Sequence, residues 1–370
     1  MIRKNRINGQ NGRNGMTITP LMAVMAVTVV CLCCMSIISN SHSIENAMTD
    51  CAMLALSNTP NNDKNKVDNY DVLLQTKHDI SFPKTCHGKG RVMAASTMTP
   101  KVPKAKAIEL AQGGFKRIGQ GSGKVDLVGA IAMKLSKMQH EFGIFGTVAE
   151  LGVHHGRFTS CLFITARESE KLVVADIFEQ QEKNVDKSGK GNKEKFIQSL
   201  SVYGLQLSDL HEMYIGSTDE LPYDWSEQKE FEQFRLISVD AGHTAILTRR
   251  DMMLAACNLL EGGIVALDDT FHSNWFGVTE GMIQYTTTAV EPHQLYPFLY
   301  CDGKMLFTND RKYHTRYYDA LMDEPLLKPI LHTDALKWGG SSEFVMNGVN
   351  FLRCKREDAD VKEIWTSVIY

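Results

Sequence analysis

Five short apolar runs lie between Gly146 and Asp269, and most of them close on a glycine or an aspartate. They are Gly146 to Gly152 (GTVAELG), Lys171 to Ile177 (KLVVADI), His211 to Ile215, Phe234 to Val239 (FRLISV) and Gly263 to Leu267 (GIVAL). Short β-branched runs of this kind predict buried strands. Helical spacing of apolar residues marks Val125 to Phe142 ahead of them, and Phe158 to Arg167, Lys193 to Tyr203 and Thr244 to Leu260 between them. Strands alternating with helices predict an α/β fold with a parallel, doubly wound sheet. Further on, Tyr296 to Tyr300 and Lys304 to Phe307 flank Cys301-Asp302-Gly303, a hairpin signal that puts an antiparallel pair at one edge.

In such a sheet a ligand sits at the carboxyl ends of the strands, beside the switch in strand order. The residues that close the runs are therefore the candidates. Glu150-Leu-Gly152-Val-His-His-Gly156 follows the first run. Its glycines let the backbone approach a ligand, although a tight strand-to-helix turn asks for the same residues. The spacing is not the Gly-x-Gly-x-x-Gly of a dinucleotide site, which counts against a nicotinamide dehydrogenase. Asp176 closes the second run, where an acid can bind ribose hydroxyls or simply cap a turn. Asp240 closes the fourth run and Asp268-Asp269 the fifth, so adjacent strands gather three carboxylates at one edge. Clustered acids repel unless protonated, hydrated or bridged by a cation. Oxygen ligands suit Mg²⁺, which could polarise a substrate hydroxyl; helix capping is the alternative. His243, just beyond Asp240, can accept a proton near pH 7.

With these residues in order the chain resembles the class I S-adenosylmethionine-dependent methyltransferases. The resemblance runs from about Gly146 to Asn309 and rests on Glu-Leu-Gly-x3-Gly, Asp176, Val-Asp240-x-x-His243 and Leu259 to Asp269 (LLEGGIVALDD). Gly-Gly-Ile-Val-x-x-Asp-Asp followed by Gly277-Val-Thr-Glu-Gly281 is similar to the macrolide-sugar O-methyltransferase subgroup. The resemblance implies a Rossmann-like, mainly parallel seven-stranded sheet whose last strand is antiparallel, with S-adenosylmethionine at the glycine loop. It assigns Glu150, Gly152 and Gly156 to the cofactor loop, Asp176 to the ribose, and Ser217 and Thr218 to the adenine. Asp240, Asp268 and Asp269 match the Mg²⁺ positions and His243 the base, where catechol-type relatives carry a lysine. The implied reaction is O-methylation of a sugar, glycolipid or small phenol, with Trp275 and Phe276 as candidate walls. A catalytically silent binding or scaffold module is the other reading.

Two stretches depart from the family pattern. His154 and His155 stand where many members have small residues. Contact with the methionine moiety, a reach toward the acids and a solvent-edge pair are all open for them. Glu179 to Asn192 (EQQEKNVDKSGKGN) is longer and more polar than a common βα turn, and reads as a mobile lid over the cofactor or a surface loop.

The first forty residues decide where such chemistry runs. Arg3, Lys4, Arg6 and Arg13 precede an uncharged, mainly apolar stretch from Met16 to Ile38, long enough to span a bilayer. The expected organisation is a basic cytoplasmic tail (1–15), a signal-anchor (16–39), a flexible stem (40–103) and the methyltransferase domain (104–370). The basic flank puts the domain in the endoplasmic reticulum or Golgi lumen, where S-adenosylmethionine has to be imported. A cleaved leader, giving a secreted or organelle-targeted protein, is the alternative. A net charge of −3 with no concentrated basic face argues against a nucleic-acid partner. Cys31, Cys33 and Cys34 lie inside the apolar run and the other six cysteines include no CxxC pair, so a structural zinc site is not expected, and a Cys51–Cys86 bridge is open.

Overall fold

The apolar runs do become a sheet, and the sheet is wider than the resemblance implies. The computed structural model describes residue 86 and residues 98–113, 125–333, 344–356 and 359–369, within one compact unit spanning Ile80–Tyr370. The basic tail, the expected membrane span and most of the stem lie outside the described residues. Among the described residues no helix is long and apolar enough to cross a membrane.

The strands are β1 (Thr147–Leu151), β2 (Leu172–Asp176), β3 (Glu212–Ile215), β4 (Phe234–Val239), β5 (Leu259–Leu267), β6 (Tyr296–Cys301), β7 (Lys304–Thr308), β8 (Leu331–His332), β9 (Val345–Met346), β10 (Val349–Asn350) and β11 (Leu352–Cys354). Nine of them form one sheet in the order β3-β2-β1-β4-β5-β7-β6-β11-β8, and β9 pairs with β10 separately. β1 to β5 are parallel. β7 inserts antiparallel between β5 and β6, as the hairpin signal requires. The implied seven strands are thus extended to nine: β11 joins β6 in parallel and β8 joins β11 antiparallel. These two added strands have three and two residues, too few to show a side-chain period.

β1, β2 and β4 are buried along their whole length because helices cover both faces. One face carries α1 (Lys104–Ala111), α2 (Val125–Glu141) and α3 (Arg157–Phe163), with Leu110, Ile131 and Leu162 in the shared core. α4 (Lys193–Val202) packs there too through Phe196 and Leu200. The other face packs α5 (Ala245–Cys257) and α6 (Phe276–Thr288) through Met252 and Met282.

Two expected boundaries move for visible reasons. α3 ends at Phe163 rather than Arg167, because the chain then turns to lie against an earlier segment: Lys101 N–H donates to Ala166 O, and Glu168 N–H to Thr99 O. β5 starts at Leu259 rather than Gly263. A register shift opposite Phe234 and Leu236 absorbs the extra residues at Gly262, whose φ is +75°. The cysteines also pair differently from the Cys51–Cys86 option. Cys86 is bonded to Cys257 at the end of α5, and Cys301 to Cys354, which ties β11 to the β6–β7 hairpin.

Candidate active site

The carboxyl ends of β1, β2, β4 and β5 open into one cleft, and the backbone at its floor has no room to spare. Gly152 has φ +83°, and a Cβ there would come within 1.9 Å of the Asp240 carbonyl oxygen. Only glycine lets the end of β1 turn past the end of β4 at that approach. Gly156, also at φ +83°, starts α3 with Phe196 packed where a side chain would go. It shapes the turn but does not itself line the cleft, whereas Glu150, Gly152, Asp176, Ser217 and Thr218 do.

Glu150 is 1% exposed and accepts a short hydrogen bond from Thr159 Oγ1, while its other oxygen has no partner. Burial pushes its carboxyl up to about 7 against the pull of Lys304. Asp176 accepts from His154 N–H at 2.7 Å and from Phe178 N–H at 2.5 Å. Burial raises it even so. Its first task is to clamp the glycine loop, and a carboxylate with four acceptor sites retains capacity for a ligand hydroxyl. His154 and His155 both line the cleft with ring centroids 3.9 Å apart, and burial lowers both.

At the β4 and β5 ends the three aspartates divide. The ligand atoms of Asp240, His243 and Asp269 lie within 4.8 Å of one another. His243 Nε2 is 3.1 Å from Asp269 Oδ2 and 3.9 Å from Asp240 Oδ1. Asp268 instead pairs with Lys304, whose Nζ is 2.7 Å from Asp268 Oδ2 and 3.9 Å from Asp240 Oδ2. The Lys304 ammonium, 3% exposed, also sits over the Phe158 ring. Burial works against this cation, but the surrounding carboxylates, Asp268 above all, hold it charged. Asp268 is thereby kept below the usual carboxylate range, while burial and the Asp268 charge push Asp240 well above it. Burial would lower His243, yet Asp269 and Asp186 raise it.

Three participants escaped the sequence reading. Lys304 reads there as the first residue after a hairpin turn. Asp186 and Ser188 sit in a polar loop with no pattern, yet that loop folds over the cleft and forms part of its lining. Of the two candidate walls, Trp275 packs against His243 in a tilted arrangement with centroids 4.5 Å apart, whereas Phe276 is 74% exposed and outside the cleft lining.

Residues 149–270 match a family described as a methyltransferase domain. That stretch is about a third of the 370-residue chain, and it carries a methyltransferase domain. The match takes in the glycine loop, Asp176, the β4 end and both acids after β5. No curated protein matches the chain. Among solved structures the chain is similar to CalS11, a TDP-rhamnose 3'-O-methyltransferase of calicheamicin biosynthesis, with 15% identity over 55% of this chain and 92% of that one, at TM-score 0.35. It is also similar to the O-methyltransferase TomG of Streptomyces achromogenes, with 12% identity over 57% and 92% of the two chains and TM-score 0.39. The O-methyltransferase NovP gives 14% identity over 49% and 78%, with TM-score 0.34.

Proposed function

We propose that this protein transfers a methyl group from S-adenosylmethionine to a hydroxyl oxygen of a sugar or other small hydroxylated acceptor. The observation that carries this reading is the position of His243, a proton acceptor at the carboxylate edge of the cleft into which the glycine loop opens. The cofactor supplies the methyl group as an activated sulfonium. The chain has to hold two reactants in line and remove one proton. The acceptor oxygen bonds to the methyl carbon as the carbon–sulfur bond breaks, its proton passes to His243 Nε2, and S-adenosylhomocysteine leaves. Glu150, Gly152 and Gly156 shape the cofactor loop, Asp176 faces the ribose, and Ser217 and Thr218 face the adenine.

The donor chemistry fits Mg²⁺ held by Asp240 and Asp269. That ion takes one or two carboxylates and keeps its remaining positions for water and substrate. Asp240 is also the carboxylate that the fold leaves short of positive charge. Lys304 already neutralises Asp268, which therefore stays outside the donor set. When bound, the ion would polarise the acceptor hydroxyl. Calorimetric titration of the protein with S-adenosylmethionine is expected to show binding, followed by a Mg²⁺ heat that Asp269→Asn removes. Absence of cofactor binding at millimolar ligand, with folding confirmed by circular dichroism, would sink the reading.

We also infer that the domain works in an oxidising compartment behind an N-terminal membrane span over residues 16–39. The bonded pairs Cys86–Cys257 and Cys301–Cys354 support this, since such bonds are rare where thiols are kept reduced. In sealed microsomes the C-terminus is expected to resist added protease until detergent is present. Digestion without detergent would overturn the location.

A further inference from the structure

His243 is held from outside its own sheet edge. The 179–192 loop leaves the end of β2 and brings Asp186 to the histidine: one carboxylate oxygen, Oδ2, lies 3.1 Å from His243 Nδ1 and accepts the His243 backbone N–H in a short hydrogen bond. Ser188 Oγ is 3.0 Å from the same ring nitrogen. Asp186 is more deeply placed than Asp269 on the opposite side of the ring, with 10% side-chain exposure against 27%. Ser188 and the His243 N–H outweigh burial and keep the Asp186 carboxyl below its ordinary range, so it is an acceptor only. Asp186 and Asp269 thus flank the ring at 3.1 Å each. A proton held on Nδ1 by the more buried Asp186 would leave the Nε2 lone pair to the reacting proton once Asp269 is engaged by a bound cation.

The loop rests on the cofactor side at its other end. Asn192 N–H donates to His154 O at 3.2 Å, and the Asn192 side chain caps α4 by accepting Lys195 N–H at 2.8 Å. Gly191 lies so close to Asp176 that a Cβ would come within 2.7 Å of Asp176 Oδ1 and 3.3 Å of Phe178 Cα. Within the loop, Asn184 Nδ2 donates to Ser188 O at 2.5 Å and Gly189 O at 3.2 Å, which shapes its tip. One segment therefore leans on the clamp of the glycine loop at one end and on the candidate base at the other.

We propose that Asp186 is the positioning residue for His243, holding the proton on Nδ1 so that Nε2 faces the acceptor, and that this grip exists only while the 179–192 loop lies against Asp176. The assignment rests on the methyl-transfer reading of the site. It couples covering of the cofactor cleft to orientation of the base, so that a proton acceptor is set in place only over a closed cleft.

Ring-nitrogen NMR of the full chain labelled with ¹⁵N-histidine tests it without turnover, with the His243 signals identified by their loss in His243→Gln. The native ring is expected to carry its proton on Nδ1. Asp186→Ala should lose that Nδ1–H signal, and Asp186→Glu should keep it. Gly191→Ala should also lose it with Asp186 intact, because the added Cβ lifts the loop. A native Nδ1–H pattern in Asp186→Ala would overturn the positioning role, and one in Gly191→Ala would overturn the coupling to the loop. Failure of S-adenosylmethionine to bind would leave this ring pattern untouched, so the two readings fail separately.

Discussion

Replacing Arg235 by methionine is expected to destabilise the folded domain by about 3–5 kcal/mol at pH 7, the range seen when one partner of a buried ion pair is removed. Arg235 lies inside β4 with no exposed surface. Its Nε and Nη2 hold Glu170 Oε1 and Oε2 at 2.5 and 2.8 Å, and Nη1 donates to Ser136 Oγ at 2.9 Å and Gln139 Oε1 at 3.0 Å. Methionine fills similar volume but strands a carboxylate at the amino-terminal end of the sheet. The pH dependence provides a second check. Burial alone would raise Glu170, yet Arg235 prevails and holds it at about 2, while burial lowers His140 to about 4. Both folded values lie below the ordinary ones, so the unfolded chain binds more protons. Stability is present at neutral pH and falls with acidification, first through His140 below about 6.5 and then through Glu170 below about 4.5. In Arg235→Met the Glu170 carboxyl is raised instead, so the penalty should shrink as pH falls toward 4.5. Denaturant midpoints at pH 7 and 4.5, with the disulfides intact, measure both effects. A loss under about 1 kcal/mol at pH 7 would show that the pair does not hold this end of the sheet together.

That pair also shows why part of the molecule could be read from its sequence and part could not. The strand ends were legible because a strand is a local pattern. Val148 to Gly152, Val173 to Asp176 and Ile264 to Asp269 each carry their own hydrophobic run and stop signal, and parallel pairing then aligns their ends. Asp176, Asp240, His243 and Asp269 become candidates from that alignment, whereas the cofactor-loop role of Glu150 comes from the family resemblance. Arg235 looked like an interruption in an apolar strand, since its partner Glu170 lies 65 residues earlier on a connecting turn. The division among the three aspartates was hidden for the same reason. Asp268 and Asp269 are neighbours in sequence, but one meets Lys304 from β7 and the other meets His243 from the β4 end. Only the inserted antiparallel strand makes that choice, by bringing a buried ammonium beside β5. Cys86 illustrates the limit most plainly. Its nearest cysteine in the chain is Cys51, yet its bonded partner lies 171 residues away at the end of a helix.

Replacing His243 by alanine is expected to lower methyl transfer by about 10²–10⁴-fold, the usual contribution of a positioned general base. The affinity for S-adenosylmethionine should change by less than about threefold, because the cofactor loop and Asp176 stand on other strands, whereas removal of a proton acceptor acts on the transition state. The side chain is only 11% exposed and packs on Trp275, so its loss leaves space at the cleft edge. Added imidazole can enter that space and should restore part of the rate. The measurement is S-adenosylhomocysteine release with an acceptor that the native protein turns over, alongside calorimetric cofactor titration of the variant. A rate within threefold of native would remove His243 from the chemistry and leave Asp240 or Asp269 as the proton acceptor. Loss of cofactor affinity in parallel with rate would instead mean that alanine had disturbed the cleft, and the imidazole arm separates these cases: a base can be replaced by a small molecule in solution, whereas a collapsed wall cannot.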